Sequence, residues 1–366
     1  MIKQITLSIL ALLYCHNASS ANADTTALKQ GLGYRVHTGI LQYHHKEMEI
    51  LRRKPATAIE ILYVLKGKGE EPWHRFYGYP QYGVSYFFMD LGNREILGYS
   101  HAIYPFINFN VYSPTKNVNF GLLAGSGLGY VTKAYHRTQN FKNTAISSHF
   151  NAFINLGATL SYSLSSHIAL NANFNLVHFS NGSYKKPNSG LNYSLLSIGA
   201  NYTLKSIKTS SIKAYPFLAE KHRLMVLGVA SQKEVKGAGG PKYSVSSFSV
   251  EYSYPIKNLW RVGLSGDFMY DTSNKFILDY QHVSWETPWQ IAKGGIALNT
   301  EFILNRFSTV FALGSYVYNL DSSNGKVYQR VSLRYRPTDR IFLHLALKTH
   351  WTIADYIEVG VGFKIL

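Results

Sequence analysis

Apolar side chains recur at every second position from Ile168 onward: Ile168, Leu170, Ala172, Phe174 and Leu176, separated by Ala169, Asn171, Asn173 and Asn175. A period of two is that of a β-strand with one apolar and one polar face. The same alternation runs through Val118, Phe120, Leu122, Ala124, Leu128 and Tyr130, against Asn119, Gly121, Gly125, Gly127 and Gly129. It runs again from Phe150 to Tyr162, against His149, Asn151, Phe153, Asn155, Gly157 and Thr159. Later it returns at 248–254 and 341–347, and the chain closes on Ile357, Val359, Val361, Phe363 and Ile365, alternating with Glu358, Gly360, Gly362 and Lys364. Strands of this length cross a bilayer when tilted.

The connections alternate in length. Short ones fall at 113–116, 163–166, 255–258 and 337–339; longer polar ones fall at 136–146, 181–191, 233–241 and 272–290. Short turns on one side and long loops on the other are the pattern of an antiparallel transmembrane β-barrel, with the long loops outside the cell. The expected fold is therefore all-β, an outer-membrane barrel. A single barrel of about sixteen strands is favoured over two barrels of about eight, because two in one chain is the less usual arrangement. Residues 24–204 form a first barrel region and residues 205–221, polar and containing Pro216, a linker or turn. Residues 222–366 add strands of no assigned role.

The N-terminus reads as an export signal over residues 1–23. Lys3 precedes an apolar run, Ile5 to Tyr14, and Ala21-Asn22-Ala23 is a cleavage site, so the mature chain is expected to begin at Asp24. The single cysteine, Cys15, lies in the removed segment, which excludes disulfides and thiol catalysis. The chain's 28 Tyr, 20 Phe and 29 Gly suit a barrel with aromatic girdles outside and small residues inside. Mean hydropathy of −0.10 fits two faces that cancel. A net charge of +17 would suit nucleic acid, but an exported chain meets none, and anionic lipid headgroups are the expected counter-charge.

The apolar face of the Ile168 strand does not continue in hydrophobes. Its next members are His178 and Ser180, a base and a nucleophile on one side of one strand. Asn192 begins the following strand and shares the parity of Leu196, Ile198, Ala200, Tyr202 and Leu204, so a hairpin through 181–191 brings it beside the pair. A Ser activated by a His that a third polar group orients is the arrangement of serine ester hydrolysis. A His and a Ser where a strand leaves the membrane are also ordinary interfacial residues, and the pattern alone leaves both readings open.

The segment His178-Phe179-Ser180-Asn181-Gly182, followed by Pro187-Asn188-Ser189-Gly190-Leu191-Asn192, resembles the outer-membrane lipid A 3-O-deacylases of the PagL type, including the bacterial acyloxyacyl hydrolases. Trp73 to Pro80, Asp90 to Gly98, Leu128 to Lys133 and Ser147 to Asn151 support the likeness, which spans roughly Gly31 to Leu204. The resemblance implies a barrel that removes an ester-linked acyl chain from lipid A of lipopolysaccharide, working from its outer wall. It implies Ser180 as nucleophile, His178 as general base and Asn181 as a candidate oxyanion donor. The family's third member is a Glu, whereas Asn192 stands at the matching position. An amide can hold the imidazole through a neutral hydrogen bond but offers the imidazolium no charge.

A second His-x-Ser, His282-Val283-Ser284, falls in an expected outer loop without the motif that follows the first. The basic run His44, His45, Lys46, Arg52, Arg53 and Lys54 could grip lipid phosphates or simply be solvated. Metal-ligand spacing and nucleotide motifs are absent, so neither metal nor cofactor is expected. The expected function is a hydrolase on carboxylic esters in the outer membrane of a Gram-negative bacterium. The alternative is a non-catalytic channel or structural barrel carrying a degenerate site. About sixteen strands in one barrel would leave a water-filled pore.

Overall fold

The computed structural model describes residues 27–43, 45–67, 71–208, 222–235, 237–321, 323–351 and 353–366. The expected signal segment 1–23, the start at Asp24 and residues 209–221 of the expected linker lie outside the described residues. Sixteen antiparallel strands are present among them, arranged as two closed barrels. The single large barrel favoured from the sequence is thus corrected to two of eight strands each.

The first barrel is built from β1 (Ala27–Gln42), β2 (Ala56–Lys66), β3 (Gln81–Asp90), β4 (Tyr99–Tyr112), β5 (Val118–Val131), β6 (Phe150–Ser163), β7 (Ile168–Ser180) and β8 (Leu191–Lys208). β8 continues four residues into the stretch read as a linker. Its register with β1 closes the barrel, from Ala27 against Lys208 to Gln42 against Asn192. No periodicity announces such a closure, because it joins the first strand to the eighth. The second barrel comprises β9 (Arg223–Glu234), β10 (Lys242–Lys257), β11 (Trp260–Asp271), β12 (Ala292–Leu304), β13 (Phe307–Tyr318), β14 (Val327–Tyr335), β15 (Ile341–His350) and β16 (Ile353–Lys364). It closes where β16 pairs with β9, Val359 opposite Ala230.

Burial alternates along the strands as the hydrophobic pattern requires. In β2 every second residue is buried, and Ile59, Ile61 and Tyr63 point outward and exposed. Exposed apolar rows of this kind suit hydrocarbon rather than water. No helix among the described residues is long and apolar enough to cross a membrane.

Eight strands enclose a space that side chains can fill. In the first barrel Glu60 sits at the centre of a buried network: His37 Nε2 lies 3.1 Å and Arg35 Nη1 3.4 Å from one carboxylate oxygen, while Ser85 donates to the other at 2.7 Å. Tyr104 also donates to Glu60 and accepts from Asn155, which in turn accepts from Asn175. The inward glycines of β5 make room for this packing. A Cβ at Gly125 would lie 2.5 Å from the Tyr104 ring, and one at Gly129 would lie 2.9 Å from Phe179.

The second lumen is filled by ion pairs: Arg330 with Asp267 and Glu358, Arg334 with Glu251, Arg223 with Glu301, and Lys233 with Asp271 and Asp355. Buried charges persist only when paired in this way. A cavity of about 10 Å³ beside Glu251, Arg261 and Arg334 has room for roughly one water. A larger cavity, about 1110 Å³, lies against Thr159, Asn173 and Ser197 of the first barrel, so closure to ions there rests on the Glu60 network. Reconstituted in planar bilayers, the protein is expected to give no single-channel steps, and stable ohmic openings would contradict the Glu60 network and the second lumen's ion pairs as seals.

Candidate active site

β7 carries His178 and Ser180 to the long-loop end of the first barrel. Along that strand Phe174 is exposed while Asn173 and Asn175 are buried, so the parity of His178 and Ser180 is that of the outward wall. The two lie about 6.5 Å apart along the strand, the repeat of two residues. His178 pairs across the ladders with Ile154 of β6 and with Asn192 of β8. Ser180 pairs with Ala152.

The hairpin expected from the sequence thus brings Asn192 to His178. Their side chains meet with Nδ1 and Oδ1 2.6 Å apart. An amide oxygen can only accept, so Nδ1 carries the proton and Nε2 keeps its lone pair for use as a base. Ser180 is 5% exposed and Asn192 7%, whereas His178 is half-buried.

Loop 181–190 follows β7, and Asn188 and Gly190 of its motif each have a structural reason. The Asn188 side chain accepts the backbone N–H of Asn181 at 3.1 Å, fixing the chain immediately after Ser180. Gly190 has φ +78°, a left-handed conformation that disfavours a side chain. A Cβ there would also stand 2.8 Å from His178 Cε1 and 3.3 Å from the Phe179 carbonyl oxygen. Replacing Gly190 with Ala is expected to cost about 1–2 kcal/mol of stability and to lower turnover about tenfold by displacing the imidazole. A thermal melt and deacylation kinetics on the same sample would read the two effects.

Asn181, the candidate oxyanion donor, is already engaged. Its side-chain amide donates to Ser147 Oγ at 3.1 Å and to Ser148 Oγ at 2.9 Å. Those serines precede β6 and belong to the Ser147 to Asn151 segment that supported the resemblance. Their tie to Asn181, and the contact of Gly190 with the imidazole, are features that spacing alone does not reveal.

The other candidates separate from the site. His282 and Ser284 are exposed in the loop after the helix Ser273–Tyr280, with His282 in a left-handed turn. Of the basic run, His44 is outside the described residues. Arg53 pairs with Glu95 at 2.5 Å and Lys54 with Asp90 at 3.4 Å, so part of its charge is spent within the loops. No cluster of metal-ligating side chains occurs among the described residues.

The first closed barrel thus carries a histidine, a serine and an asparagine of outward parity together at its long-loop end. The chain belongs to the lipid A 3-O-deacylase (PagL) family, whose members hydrolyse ester bonds. The profile of that name matches residues 57–201, and that of the acyloxyacyl hydrolase C-terminal domain matches residues 221–366. The second half, unassigned from the sequence, is therefore a domain of the same family, and the two matches fall one on each barrel. No curated protein matches the chain.

Among solved structures, the KdgM porin with disordered oligogalacturonate is 8% identical over 72% of this chain and 92% of that one, at a TM-score of 0.19. A triple mutant of the Rhodopseudomonas blastica porin is 9% identical over 92% and 99%, at 0.18. A deletion mutant of the TodX monoaromatic hydrocarbon channel is 10% identical over 95% of each, at 0.19. Superpositions this loose say nothing about the site.

Proposed function

We propose that the first barrel hydrolyses an ester-linked acyl chain of lipid A, the lipid anchor of lipopolysaccharide, in the outer leaflet of a Gram-negative outer membrane. The observation that carries this reading is the His178–Asn192 bond on the outward wall, one alternate residue from Ser180. Toward the membrane the same wall continues in Leu176, Phe174, Leu196 and Ile198, an apolar surface on which an acyl chain can lie.

In the reaction Ser180 Oγ attacks the ester carbonyl while His178 Nε2 takes its proton. The tetrahedral intermediate expels the sugar hydroxyl, which receives that proton, and leaves an acyl-serine. Water activated by the same imidazole releases the fatty acid. Asn192 holds the ring and its tautomer throughout. Asn181 can serve the oxyanion only by exchanging a bond to Ser147 or Ser148, and otherwise positions the turn behind the nucleophile. No metal or cofactor enters these steps.

Asn192 in place of the family's Glu favours a second reading, a structural barrel with a degenerate site. Purified protein in detergent micelles with lipid A separates the two. Mass spectrometry should show loss of one acyl chain from the lipid, and an organophosphonate probe should label Ser180. An unchanged lipid and an unlabelled serine would leave only the degenerate barrel.

A further inference from the structure

Three aromatic rings sit immediately beyond the nucleophile on the water side. Phe150 opens β6 and pairs across the ladder with Tyr130 of β5, their rings edge to face at 5.3 Å. His149 lies outside the strand; by parity it would continue the inner face, yet it is exposed. Its ring stacks on Tyr130 at 5.6 Å, and its Nδ1 bonds the Val131 carbonyl oxygen at 2.8 Å. Phe150 is 63% exposed.

The rings are tied to the site from two directions. Two residues along the same face from Phe150 stands Ala152, the cross-strand partner of Ser180. The preceding Ser148 accepts the side-chain amide of Asn181, the residue after Ser180. From strand spacings, Phe150 and Ser180 are about 8 Å apart at Cα, and the small Ala152 lies beside Ser180 on the same face.

An ester at Ser180 has two halves. The acyl half runs down the apolar wall toward Phe174, so the alcohol half must leave upward, across Ala152. We infer that Tyr130, His149 and Phe150 form a shelf that binds the pyranose ring of the substrate's alcohol half, with the apolar C–H face of the sugar on the rings and its hydroxyls toward water. This rests on the ester-hydrolase reading above. Interfacial aromatics that merely anchor a barrel need no bond fixing a His ring against its neighbour, and no link to the segment that follows the nucleophile. Rings with one apolar face and one wet edge suit a sugar at the lipid–water boundary.

The test compares lipid A with a p-nitrophenyl ester of matching chain length, which lacks the sugar. For Phe150→Ala and Tyr130→Leu, the ratio of kcat/KM for lipid A to that for the simple ester is expected to fall about tenfold, the value of one aromatic contact. The loss should appear in KM, and Phe150→Trp should restore it. An unchanged ratio, whether both activities hold or both fall together, overturns the shelf. Binding separates this outcome from failure of the hydrolase reading. In the Ser180→Ala background the shelf variants should lose affinity for lipid A micelles relative to phosphatidylethanolamine micelles, even if the parent protein hydrolyses nothing.

Discussion

Replacing Ser180 with Ala is expected to lower lipid A deacylation about 10³-fold or more, to the level of the uncatalysed reaction in the same micelles. The methyl group cannot attack the carbonyl, and β7 itself carries no other hydroxyl. The fold should not change. Ser180 is the last residue of its strand, and its ladder partners are backbone groups opposite Ala152. Far-UV circular dichroism and the melting temperature should therefore match the parent protein. A variant that folds and keeps more than a tenth of the activity would remove Ser180 from the mechanism.

Asn192 carries the second large effect, and it has a sign in each direction. Asn192→Leu removes the acceptor 2.6 Å from His178 Nδ1. The imidazole then loses the acceptor that fixes its tautomer, and turnover should drop about 10²-fold, within the range seen when a base loses its orienting group. Asn192→Glu should instead raise turnover about tenfold. A carboxylate accepts the same N–H and stabilises the imidazolium that forms as Ser180 gives up its proton, which a neutral amide cannot do. Steady-state kcat on lipid A reads both variants. Equal rates for Asn192, Leu and Glu at this position would show that the His178 contact has no part in catalysis.

Much of this was legible in the chain before any coordinates, and for one reason. A strand at a lipid boundary must sort its residues by parity, so Ile168 to Leu176 announce which way His178 and Ser180 point. Asn192 follows from the same arithmetic on the next strand. The limits are equally physical. A period of two is the same in one barrel of sixteen strands as in two of eight. The difference lies in whether β8 returns to β1, a pairing between residues as distant as Gln42 and Asn192. The motif after Ser180 was recognisable as a string, but its reasons were not. Asn188 holds a backbone N–H, and Gly190 lies where a methyl group would strike the imidazole. His149 went the other way, because its parity pointed inward while the end of the ladder freed it to turn out. Strand arithmetic fails one residue past the strand.

His178 and Ser180 have the parity of the outward wall, not that of either lumen. Substrate must arrive sideways, diffusing in the plane of the leaflet. The velocity should then follow the fraction of lipid molecules that are substrate, not their concentration in the bulk. Diluting lipid A with inert detergent at constant total lipid A would slow the enzyme as surely as removing the substrate.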